Sequence, residues 1–79
     1  MPTSKEFLLQ LNKYDKNATY WINQLGVKIR FQKGVLTLKA PSNGAFWFMK
    51  QYQKPISQAC EEMGLKCDIR NETLLQKAG

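Results

Sequence analysis

Val27-Lys28-Ile29-Arg30-Phe31-Gln32-Lys33-Gly34-Val35-Leu36-Thr37-Leu38-Lys39-Ala40 decides the fold, because its hydrophobicity alternates with period two on both sides of a Lys33-Gly34 turn. Val27, Ile29 and Phe31 alternate with Lys28, Arg30 and Gln32, while Leu36, Leu38 and Ala40 alternate with Val35, Thr37 and Lys39. Successive side chains on a strand point to opposite faces. With Lys33 and Gly34 as the loop, Phe31 lies opposite Leu36 and Ile29 opposite Leu38, so both apolar sets fall on one face. The spacing therefore predicts a hairpin whose register is self-consistent.

Downstream, Pro41-Ser42-Asn43 punctuates the chain, and a long helix follows with Ala45, Phe48, Met49, Tyr52, Ile56, Ala59, Cys60 and Met63 as its apolar stripe. Pro55 interrupts it, lacking the N–H that would bond to residue 51, but the stripe stays in phase across the proline, so a kink is expected rather than a break. Gly64 supplies the stop. Leu65, Cys67 and Ile69 then alternate with Lys66, Asp68 and Arg70 as a third strand, and the tail over 71–79 is expected to fray or form a short turn.

Upstream, Thr3 and Glu6 form a capping-box pair ahead of Phe7, Leu8 and Leu11, which predicts a helix over Ser4 to Asn12. Lys13 to Lys16 reads as a polar connector. Asp15 or Asn17 can cap a second helix with Ala18, Trp21, Ile22 and Leu25 on one face and Gly26 at its end. The order is ααββαβ: an α+β fold, a three-stranded sheet with helices packed on one face, occupying residues 1–79 as one domain.

At 79 residues the chain holds one modest core, and 43% hydrophobic content favours folding over disorder. Twelve Lys and Arg against six Asp and Glu give a net charge of +6. That charge favours an anionic partner, whether nucleic acid, acidic protein or lipid surface, although solubility alone explains the same excess. Residues 1–10 carry Lys5 and Glu6 and no apolar core of a signal peptide, and no apolar run is long enough to span a bilayer, so a cytoplasmic location without membrane partners is expected. Without an export signal, the glycosylation triplets Asn17-Ala18-Thr19 and Asn71-Glu72-Thr73 read as accidental.

There is no histidine to build a Ser-His or Cys-His nucleophile or to complete a zinc site with Cys60 and Cys67. The two cysteines read as small buried hydrophobes in preference to a bridge. Glu61 and Glu62 are adjacent and diverge by about 100° on a helix, which suits a solvated face better than an acid–base pair. No glycine-rich phosphate loop occurs. The expectation is a binding protein with no catalytic residues, cofactor or metal.

Ala45-Phe46-Trp47-Phe48-Met49 cannot all face one core from a helix. Relative to the stripe, Phe46 lies about 100° away and Trp47 about 200° away. Trp47 is therefore expected outside, with Lys50, Lys54 and Gln58 in its sector, facing a partner that is apolar and anionic or a second copy of the chain; folding back over the helical hairpin or covering the strand edge as ordinary core is the alternative. A second surface follows from the strands: Lys28, Arg30, Lys39, Lys66 and Arg70 project from the sheet face opposite the core, with Asp68 as the lone offset and Lys28 opposite Lys39. That face has no aromatic residue on which a base can stack and there is no G-x-x-G clamp, so weak, salt-sensitive single-strand binding is the most it supports.

Trp21-Ile22-Asn23-Gln24-Leu25, Gly34-Val35-Leu36-Thr37-Leu38-Lys39-Ala40-Pro41 and the following Trp47-Phe48-Met49 resemble the N-terminal domain of the bacterial replication initiator DnaA. Gly44-Ala45-Phe46 and Lys54-Pro55-Ile56 are similar to the helicase-operator family DciA. The resemblance covers most of Thr19 to Arg70. It implies a KH-like fold without the nucleotide clamp and an adaptor that engages the replicative helicase or an initiator protein. The helicase-contacting positions of the DnaA family then correspond to Asn17 and Gly44, with Tyr20, Phe46, Trp47 and Lys50 completing the protein-binding surface.

Overall fold

The computed structural model describes residues 3–72. Thr3 caps α1 (Ser4–Tyr14), its hydroxyl accepting from the Glu6 amide at 3.1 Å, as the capping pair requires. The helix runs two residues past the expected end, because nothing in Lys13-Tyr14 breaks it. The connector expected over Lys13 to Lys16 shrinks to Asp15, whose backbone is extended. Asp15 ends α1 and caps α2 (Lys16–Gln24): its carboxylate accepts from the amides of Asn17 at 2.9 Å and Ala18 at 3.3 Å. One residue thereby makes the whole corner of the α1–α2 hairpin, and Asn17 is not the cap.

β1 (Lys28–Gln32) and β2 (Val35–Ala40) pair antiparallel in the expected register, with Phe31 opposite Leu36 and Ile29 opposite Leu38. Lys33 and Gly34 take φ of 50° and 77°, the doubly left-handed turn whose twist matches the strands it joins. β3 (Lys66–Asn71) pairs parallel to β2, so the sheet order is β1-β2-β3 with β2 central. Leu36, Leu38 and Ala40 on β2 are fully buried, whereas Ile29 and Phe31 on the edge are half-buried.

The expected single long helix is two. Ser42 caps α3 (Asn43–Lys50), accepting from the Ala45 amide at 3.1 Å, and α4 follows as Gln53–Glu62. The end of α3 tightens: the Gln51 and Tyr52 amides donate to the carbonyls three residues back, Phe48 and Met49, at 3.1 and 3.0 Å. Pro55 becomes the third residue of α4. There its missing N–H falls among the amides a helix start leaves unbonded anyway, so a break costs no hydrogen bond that a kink would have saved. The Tyr52 carbonyl opens the new helix by accepting from Ile56 at 3.1 Å.

α3 packs on β2 and β3, α4 packs on β3, and α1 packs on α4 and α2. Phe7, Leu11, Ile22, Leu36, Leu38, Met49 and Ile56 join in one buried cluster, each at most 2% exposed. The expected ααββαβ layering holds with its third helix divided. The expectation for the tail falls beyond residue 72, outside the described residues.

Tyr14 ties the end of α1 to α4 by donating its hydroxyl proton to Glu62 Oε1. That bond, with smaller contributions from burial and from the Glu62 and Glu61 charges, raises the Tyr14 pKa above its usual 10.0. Because the folded state holds the proton more tightly, the bond's contribution is complete below the ordinary tyrosine range and is lost as pH rises through Tyr14's own titration. The phenolate absorbance titration of the native protein should contain one component displaced upward, and Tyr14→Phe or Glu62→Gln should remove it. A wild-type curve identical to that of Glu62→Gln would show the bond does not form.

Candidate functional site

Two surfaces contain the residues singled out above. The first is the outer side of α3. With Ala45 and Met49 buried, the helix rotation places Trp47 outward, and its side chain is 63% exposed. Phe46 is half-buried and meets the Trp47 ring edge-on at 5.3 Å between centroids. Lys50 Nζ lies 5.8 Å from the Phe46 ring centre, within cation–π range. Phe46, Trp47 and Lys50 are thus brought together as one amphipathic patch, with the cation one turn after the phenylalanine. The alternative, Trp47 folded over the hairpin as core, does not occur.

A string of rings links this helix to α2. Tyr20 meets Trp21 at 5.0 Å, Trp21 meets Phe48 at 4.8 Å, and Phe48 meets Tyr52 at 5.6 Å. Tyr20 is 53% exposed at the outer end of that string. Asn17 is exposed near the start of α2. Gly44 is exposed in the first turn of α3, where an added Cβ would meet open space. The predicted position of Lys54 depended on an unbroken helix. It is instead the second residue of α4, exposed, and the phase argument that set Lys54 and Gln58 in the Trp47 sector lapses with the break.

The second surface is the outer face of the sheet. The two registers set its residues in rows across the strands: Lys28 beside Lys39 beside Arg70, Arg30 beside Thr37 beside Asp68, and Gln32 beside Val35 beside Lys66. All five predicted cations lie on this face, and three share one row. Arg70 Nε donates to Asp68 Oδ2 at 2.7 Å, with both side chains about half exposed. An exposed pair of this kind contributes little stability, and it offsets one of the five positive charges. Arg30, Phe31, Gln32, Thr37, Lys39 and Arg70 line a shallow polar hollow there, so the half-buried Phe31 ring borders the cations although the alternation assigned it to the inner face.

The placement of Arg70 next to Lys39 was not legible beforehand, since alternation assigns a face but not a neighbouring strand. Asn71 is another residue the pattern missed. It ends β3 with only 6% exposure, and its side-chain amide donates to Asn43 Oδ1 at the start of α3. The bond anchors the display helix to the sheet and occupies the side-chain amide of Asn71.

Among the described residues no helix is long and apolar enough to cross a membrane, and no cluster of metal-ligating side chains occurs. No family model, curated protein or solved structure matches the chain.

Proposed function

We propose that this chain is a non-enzymatic, cytoplasmic protein-interaction module of DNA replication initiation, docking on the replicative helicase or an initiator protein through the outer side of α3. The observation that carries the reading is Trp47, 63% exposed against Phe46, whose ring Lys50 approaches, on a helix capped by Ser42 and tied to the sheet through Asn43. A large aromatic left in water beside a cation resembles the anchors that dominate protein interfaces, where tryptophan is enriched and charges are placed at the rim. The lack of histidine supports a binding role over a catalytic one. The resemblance of its motifs to the DnaA N-terminal domain and to DciA supports the replication context.

The test is titration of purified replicative helicase and purified initiator against the wild-type chain and Trp47→Ala, with sedimentation to detect self-association. Binding by the wild type that Trp47→Ala loses supports the reading. Equal binding by both proteins, or none by the wild type, removes it. Concentration-dependent dimerisation lost in Trp47→Ala would assign the patch to a second copy of the chain.

A second reading rests on the row of Lys28, Lys39 and Arg70: weak single-stranded nucleic-acid binding across the outer sheet face. Three phosphate contacts imply a slope of about −2 in log affinity against log salt, taking roughly 0.7 per contact for single strands. Lys39→Glu should flatten it. A fluorescent oligonucleotide that shows no binding at low salt, or binding unaffected by salt, eliminates this role.

A further inference from the structure

Cys60 and Cys67 flank the turn that ends α4. Cys60 is buried at 1% exposure, and Cys67, the second residue of β3, is half-buried on the inner sheet face opposite Leu36. The turn between them is held at both ends. The Leu65 amide donates to the Cys60 carbonyl at 2.8 Å and the Gly64 amide to the Glu61 carbonyl at 3.0 Å, with Gly64 at φ 71°; these are the paired bonds of a Schellman motif. The Lys66 amide then donates to the Gly34 carbonyl at 2.9 Å, fixing the start of β3. Within this frame the two cysteines stand close enough for each to be the largest influence on the other's titration. Both also line one surface hollow, with Ser57, Glu61, Leu65 and Lys66. Space-filling alone requires neither feature.

We propose that Cys60 and Cys67 are a reversible dithiol–disulfide pair, closed by a hydroperoxide and reopened by small-molecule thiols. Cys67 is the more accessible of the two, and its pKa is lowered by Cys60 first and by Lys50, against burial and Asp68, whereas Cys60 is buried and raised by Cys67 and by burial. Cys67 is therefore the attacking sulfur and Cys60 the resolving one. The Cys67 thiolate attacks the terminal peroxide oxygen; the O–O bond breaks, the alkoxide or hydroxide leaves and takes a proton, and Cys67 becomes a sulfenic acid. The Cys60 sulfur then attacks Cys67, the S–O bond breaks, and hydroxide departs with the Cys60 proton as water. The thiols lose two electrons and two protons, and the peroxide is reduced to an alcohol, or water, plus water. Two external thiols restore the pair and leave as their own disulfide. Closure pins the end of α4 to β3 and constrains the unfolded chain, so the oxidised form melts several degrees higher.

The experiment is intact-mass and peptide mapping of the full chain after hydrogen peroxide, with alkylation under denaturing conditions. The expected result is a monomer lighter by two hydrogens, with no alkylated thiol, a Cys60–Cys67 cross-link and full reversal by dithiothreitol. Cys60→Ser should leave a dimedone-reactive sulfenic acid on Cys67, and Cys67→Ser should leave Cys60 reduced at the same dose. An unchanged wild-type mass, over-oxidation of wild-type Cys67 or an intermolecular cross-link overturns the proposal. Wild-type mapping alone decides if a serine variant fails to fold.

Discussion

Replacing Trp47 by alanine is expected to weaken partner binding by about thirtyfold or more while leaving the melting temperature within about 4 °C of wild type. The two halves of that expectation have separate causes. A central interface aromatic typically contributes at least about 2 kcal/mol when truncated, and about 1.4 kcal/mol is tenfold in affinity. Stability, in contrast, depends on what the side chain covers in the free protein. Trp47 is 63% exposed, and its ring contact is with Phe46, a half-buried neighbour on the same helix and not a member of the buried cluster. Calorimetric titration measures the first quantity and thermal unfolding the second. A large fall in melting temperature would mean that the indole holds the domain together, and the patch would lose its standing as a docking surface.

Leu38→Ala should do the reverse. Leu38 is fully buried on the central strand, set between Ile29 of β1 and Ile69 of β3. Removing its isobutyl group forfeits the transfer free energy and leaves a cavity that a three-stranded sheet with helices on one face has little means to close, so about 2–5 kcal/mol is expected. A domain of this size has about 4–12 kcal/mol in total, which makes the substitution severe. Urea unfolding should show a lower midpoint with an unchanged slope. Under conditions where Leu38→Ala remains folded, it should still bind the partner. A midpoint equal to that of wild type would show that the sheet core is not where the burial pattern puts it.

The hairpin was legible because three constraints agreed at Lys33-Gly34: turn chemistry, alternation on either side, and a single register that gathers the apolar residues. Trp47 was legible for a simpler reason, since five consecutive apolar residues exceed what one helix face can bury. The break before Pro55 was not, because periodicity records the phase of Phe48, Tyr52 and Ile56 but not whether the bonds between them are made. Tyr52 and Ile56 keep their stripe positions on either side of an interrupted helix. The same gap removed the phase argument that set Lys54 beside Trp47. The tie between Asn71 and Asn43 and the meeting of Cys60 with Cys67 join residues from different elements, and no local pattern encodes which side chains of two packed elements touch.

The interruption at Gln51 and Tyr52 also has an engineering consequence. Since α3 is capped by Ser42, tethered by Asn43 and terminated by its own tightened turn, its eight residues form a cassette whose outward side chains can be exchanged without rephasing α4. In a continuous helix, inserting or deleting one residue would rotate everything downstream by about 100° and drive Ile56, Ala59 and Cys60 out of the core. Here the Gln51-Tyr52 joint separates the two helices, so exchanging the outward side chains of α3 rewrites the display surface while the bonding of α4 stays as it is.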